Sequence, residues 1–176
     1  MSLSWAWFFL LLATYPWLLG VDLLTDASAG AGVGLCISGA VIIAPCQRLR
    51  RWQGVLFAAS VGFLYEAFRP VPDGSVALVL VVGAIFLTSN RPFIRDLPFM
   101  FRGAILMNSL VCTSWFVASA LHHQAQIPLL SLHFLGQWLL HLLCAAVLAI
   151  FLLVPIAIVQ NFTMDKVGVP KADEVV

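Results

Sequence analysis

The sequence predicts an all-α integral membrane protein with six transmembrane helices and both termini in the cytoplasm. Three observations carry that prediction. Of 176 residues, 62% are hydrophobic and only 10% are charged, whereas a soluble domain carries charge on about a quarter of its residues. The apolar residues fall into six runs separated by short polar or proline-containing breaks. The basic residues gather in alternate breaks, the asymmetry that orients membrane chains. A mean hydropathy of +1.02 leaves no soluble domain, only a membrane domain over residues 1–160 and a polar tail over 161–176. The net charge of +1 and the lack of a basic stripe argue against nucleic acid as a partner.

The first span, residues 3–24, is long enough to cross about 30 Å of hydrocarbon, and Pro16 can kink it. Ala27-Ser28-Ala29 resembles a signal-peptide cleavage site, but no Lys or Arg precedes the apolar run, so cleavage is not expected. The second span, residues 28–45, carries Gly30, Gly34 and Ser38 at four-residue spacing, a small-residue face, and ends at the break Cys46-Gln47-Arg48-Leu49-Arg50-Arg51. The third, residues 52–68, leads into the turn Val71-Pro72-Asp73-Gly74. The fourth, residues 75–89, is short and β-branched; between two spans it reads as helix, because an open strand in lipid leaves its backbone unpaired. Residues 90–102 form a basic, aromatic loop suited to the interface, with phenylalanines inward and arginines toward anionic lipid. The fifth span, residues 103–121, holds Asn108, Ser109, Thr113, Ser114 and Ser119. The sixth spans 132–160, and the tail beyond it reads as polar and mobile.

Topology follows from counting. With the amino terminus inside, cytoplasmic segments carry Arg48, Arg50, Arg51, Arg91, Arg95, Arg102, Lys166 and Lys171, leaving only Arg69 outside. The opposite orientation would violate the charge rule eight times. Trp5, Trp7, Trp17 and Trp52 lie near span ends, as an interfacial belt requires; Trp115 and Trp138 lie deeper.

The organising stretch is residues 54–74. Gly54, Ala58, Gly62 and Glu66 recur every four residues, which on a helix makes one face of small side chains ending in a carboxylate. In lipid, small residues let another helix approach closely, and a buried ionisable group marks a functional site or a specific partner. The face is therefore expected to receive a partner helix, with Gly74 closing the turn. Glu66 and Arg69 stand either as a surface ion pair near the headgroups or as a polar anchor for another protein.

His133, Gln137 and His141 also recur every four residues. Such a stripe can relay protons, bind a metal or donate hydrogen bonds between helices; two histidines eight apart cannot make a metal site alone, and with no Asp or Glu within four residues of either histidine, the hydrogen-bonded face is the favoured reading. Cys36, Cys46, Cys112 and Cys144 lie far apart and read as plain buried thiols, with no zinc or disulfide framework. No catalytic motif or paired intramembrane acids occur, so neither enzymatic activity nor a cofactor is expected.

Gly62-Phe63-Leu64-Tyr65-Glu66, followed eight residues after the acid by Gly74-Ser75-Val76-Ala77-Leu78, resembles the signature of the rod shape-determining MreD family. The likeness is most specific over residues 54–88, and the family usually has Asp where this chain has Glu66. The resemblance implies a non-catalytic scaffold in the bacterial inner membrane. It implies as partners a bitopic MreC-like protein, which small-residue faces would accept, and the wider elongation machinery of MreB, RodA and its transpeptidase. It also implies a fold similar to the substrate-binding (S) components of energy-coupling-factor vitamin transporters. A transporter subunit of that kind is the competing class: His122, His133, Gln137 and Glu66 would line its pocket. Against it, the first span lacks the close Ala-x-x-x-Ala face such subunits use for docking, showing only Ala6 and Ala13.

Overall fold

The computed structural model describes residues 5–27, 35–67, 74–91, 96–122 and 132–170, and every regular element among them is helical. In chain order these are α1 (Ala6–Ala27), α2 (Ser38–Val41), α3 (Ile43–Arg48), α4 (Arg51–Ala67), α5 (Ser75–Ser89), α6 (Leu97–His122) and α7 (Leu132–Val167). Three of them, α1, α6 and α7, are long and apolar enough to cross a membrane, and α5 is a shorter apolar helix.

The helices pack as a ring around a centre. Each of α1, α4, α5, α6 and α7 touches the next, and α7 closes back on α1, while α2 and α3 run through the middle and touch members of the ring on several sides. Residues 36–46 of that central pair are all buried. The ring faces the other way: Leu23, Leu78, Phe86, Leu143, Phe151 and Ile158 are each more than half exposed. Apolar surface this continuous is a liability in water and the expected exterior in hydrocarbon, which gives the chain the character of a membrane protein.

The centre is a helix interrupted at Ile42, and Pro45 explains why. A proline has no N–H and its ring crowds the carbonyl four residues back, which here belongs to Val41. An unpaired carbonyl inside the bundle would be expensive. Gln160, from the far end of the chain, supplies the missing donor: its Nε2 donates to Val41 O at 3.0 Å and to Thr14 Oγ1 at 3.1 Å. Asn108 does the same work one turn earlier, its Nδ2 donating to Cys36 O at 2.6 Å and Ala145 O at 2.7 Å while its Oδ1 accepts from Gly39 N at 3.3 Å. Gly39 is required there, because a Cβ would lie 2.4 Å from the backbone of Met107 and Asn108.

Several expected boundaries move. The second span continues as helix through Arg48, so Cys46-Gln47-Arg48 is not a break; Gly30 and Gly34 lie outside the described residues. Helix α6 begins at Leu97, taking half of the expected 90–102 loop. The last helix runs on to Val167 rather than ending at 160. It stops where Gly168 adopts φ +79°, with Gly168 N donating to Asp165 O and Val169 N to Met164 O, a left-handed glycine stop that reuses the last carbonyls. The expected mobile tail is therefore folded as far as residue 170; residues 171–176 lie outside the described set.

Candidate functional site

The small-residue face of α4 is occupied, and by the chain's own next helix. A Cβ on Gly62 would stand 2.4 Å from Ala77 Cα, and one on Gly54 would stand 3.3 Å from Thr88 Cγ2. Gly62 therefore meets the start of α5 and Gly54 meets its end, so the two helices form an antiparallel hairpin, with Phe57, Ala58 and Val61 fully buried between or beneath them. The expectation that this face receives a partner protein's helix is corrected: the seam is real, but it closes α4 on α5. The reason is proximity in sequence, since the helix that fits the groove begins at Ser75, eight residues after α4 ends at Ala67.

Glu66 completes the hairpin. It is 4% exposed, yet its carboxylate is satisfied: Oε2 accepts from Gly74 N at 2.7 Å, and Oε1 accepts from Val76 N and from Ala77 N at 3.1 Å. The first amides of a helix have no partner within the helix, and its positive end favours an anion. A side chain on the preceding helix thus does what a local capping residue does elsewhere. Gly74 makes the entry possible by adopting φ +91°, a conformation costly for other residues. Neither alternative expected for Glu66, a surface ion pair or an external anchor, describes it. Arg69 lies outside the described residues.

The basic end divides into buried and free guanidinium groups. Arg48, expected in a solvated loop, is 8% exposed. Its Nη2 donates to Asp165 Oδ1 at 2.6 Å and to Val169 O at 2.8 Å, its Nη1 to Asn161 Oδ1 at 3.3 Å, and its Nε to Pro170 O at 3.2 Å. It ties the end of α3 to the end of α7, through residues the sequence pattern assigned to a loose tail. Arg91 donates from Nε to Cys46 O at 3.1 Å and from Nη2 to Leu49 O, which joins the end of α5 to α3. Partial burial lowers the Arg91 guanidinium from its ordinary value, with Cys46 opposing the shift. Arg50, Arg51 and Arg102 are exposed; Arg95 lies outside the described residues.

The histidine stripe is not one stripe. His133 and Gln137 are exposed, and only His141 is buried. Its Nδ1 is 2.7 Å from Gln137 O; a carbonyl only accepts, so Nδ1 carries the hydrogen. The ring lies 5.7 Å from Trp115 and 5.1 Å from Phe116, on α6. His141 is thus part of the α6–α7 packing, as is Trp138, whose Nε1 donates to Thr113 Oγ1 at 3.3 Å. Among the described residues no three metal-ligating side chains come together. Nor do Glu66, His133 and Gln137 converge on one cavity: the acid is spent on α5 while the other two face outward. The four cysteines are free, three of them buried.

Sequence reasoning missed Asn108, Gln160 and Asp165 as the residues that hold the centre together. The available signal was polarity inside apolar runs; the partners, up to 146 residues away, carried no signal. Comparison with known proteins finds no matching family model, no similar curated protein and no similar solved structure.

Proposed function

We propose that the chain is a non-catalytic scaffold of the MreD type in the bacterial inner membrane. It crosses the membrane six times with both ends in the cytoplasm and holds an MreC-like bitopic partner within the machinery that elongates the cell wall. The observation that supports this reading is the unity of the motif. Gly62 permits close approach, Glu66 caps the next helix and Gly74 supplies the left-handed entry. The residues behind the MreD resemblance are therefore the ones that shape this hairpin, and a likeness carried by structure-forming residues is a likeness of fold. The buried polar groups point the same way: Glu66, Asn108, Gln160 and Arg48 all bond to backbone across helices, the use a rigid framework makes of them.

With the glycine seam filled internally, the partner's span meets the outer face of the ring. The test is co-expression with the MreC-like protein of the same genome, purification in detergent, and depletion in cells. A recovered complex and loss of rod shape on depletion are expected. Absence of a complex together with normal shape overturns the reading, and a retained vitamin-sized molecule in the purified protein replaces it with the transporter-subunit one.

A further inference from the structure

Between α5 and α6 an apolar groove runs along the outside of the ring. It has two continuous stretches, of about 360 and 450 Å³, that share Phe86, Leu106 and Met107. Leu78 and Leu110 lie at one end. At the other the chemistry changes: Asn90 and Arg102 line the mouth, on the same side as Arg50 and Arg51. Arg102 is exposed, lies over the Phe99 ring at 5.5 Å, and has no carboxylate within ion-pair distance among the described residues. One amide hydrogen of Asn90 is used on Phe86 O at 2.9 Å, and its Nδ2 has a second to give.

We propose that this groove holds one acyl chain of an anionic phospholipid, with the phosphate between Arg102 and Asn90. Two arguments select this occupant over a protein helix. The first is length. From Leu78 to Asn90 the groove follows twelve residues of helix, about 18 Å, close to one leaflet's share of a hydrocarbon core about 30 Å thick. A transmembrane partner would need the full depth. The second is charge complementarity. A guanidinium at the headgroup level, without a carboxylate, suits bidentate phosphate binding. The wall is adaptable as well: Gly83 leaves room into which the Met107 thioether lies, and methionine adjusts to irregular chains. This inference requires that the chain sit in a bilayer and stands apart from the scaffold reading.

The experiment is native mass spectrometry of the purified full chain titrated with phosphatidylglycerol or phosphatidylcholine of equal chain length. One tightly held phosphatidylglycerol is expected, preferred over phosphatidylcholine. Arg102→Gln should weaken that preference about fivefold, the value of one arginine at a membrane surface. Arg51→Gln, at the same end but outside the groove, should leave it unchanged. Val82→Trp, which fills the groove without touching the arginine, should remove the retained lipid of either kind. Because Arg102 and Val82 are exposed, both variants are expected to elute as the parent does. Equal losses from Arg102→Gln and Arg51→Gln overturn the site in favour of diffuse surface charge. Unaltered binding in Val82→Trp, or displacement of the lipid by a co-purifying helix, overturns it as well.

Discussion

Gly62 on α4 and Gly83 on α5 both leave room on a helix face, and they differ in what takes up that room. Beside Gly62 it is backbone: a Cβ would meet Ala77 Cα at 2.4 Å and Ala77 N at 2.9 Å. Beside Gly83 it is the tip of a side chain, Met107 Cε at 2.0 Å and Sδ at 2.8 Å. Backbone in a helix cannot retreat without losing hydrogen bonds, whereas a thioether has three rotatable bonds and can swing aside. One side of α5 is therefore a fixed seam and the other a pliant wall. Small residues in a membrane helix announce close packing, but the atom opposite decides whether the contact is permanent.

Four substitutions sharpen that contrast. Gly62→Val has the largest expected effect: the hairpin must open or bend, a cost of more than about 3 kcal/mol for overpacking against backbone. It would be read as loss of the folded peak, or a collapsed melting temperature, in detergent. Parent-like stability would mean the seam is not closed as described. Glu66→Gln comes next, with an expected loss of about 2–3 kcal/mol, because charge-assisted bonds to buried amides are replaced by a neutral amide that accepts at only one atom. Glu66→Asp should cost less, since the carboxylate stays while its reach shortens; thermal unfolding of the pair gives the order. The smallest effect is expected for Gly83→Ala, within about 1 kcal/mol of the parent, as the methionine moves and the helix gains from alanine's higher propensity. A loss as large as that of Gly62→Val would erase the distinction between the two faces.

Much of the frame was legible. The four-residue recurrence of Gly54, Ala58, Gly62 and Glu66 located the seam, and the expected segments 52–68 and 75–89 fall within a residue of the helices Arg51–Ala67 and Ser75–Ser89. Periodicity reports that a face is small, however, and not which helix covers it. The capping role of Glu66 had a local trace, an acid just before the turn into a helix without a capping side chain at Gly74. The centre was different. Pro45 was visible as a proline, yet its consequence at Val41 is met by Gln160, and no local pattern links the two. Arg48 was misassigned because charge counting treats every arginine near a span end as solvated, whereas this one finds Asp165, Asn161 and two carbonyls within reach. His133 and Gln137 shared a spacing with His141 but not a neighbour, since α6 covers only the third of them.

A ribosome makes Val41 and Arg48 long before it makes the groups that satisfy them. Gln160 follows Val41 by 119 residues and Asp165 follows Arg48 by 117, on the order of ten seconds of synthesis. Through that interval the innermost segment holds a bare carbonyl and a lone cation, so something else, water or a chaperone, must attend them. The carboxyl end is thus a clasp rather than an appendage. Removing the end of α7 would unfasten the middle of the protein before it frayed any edge, and the centre of a newborn copy closes only once that helix has arrived.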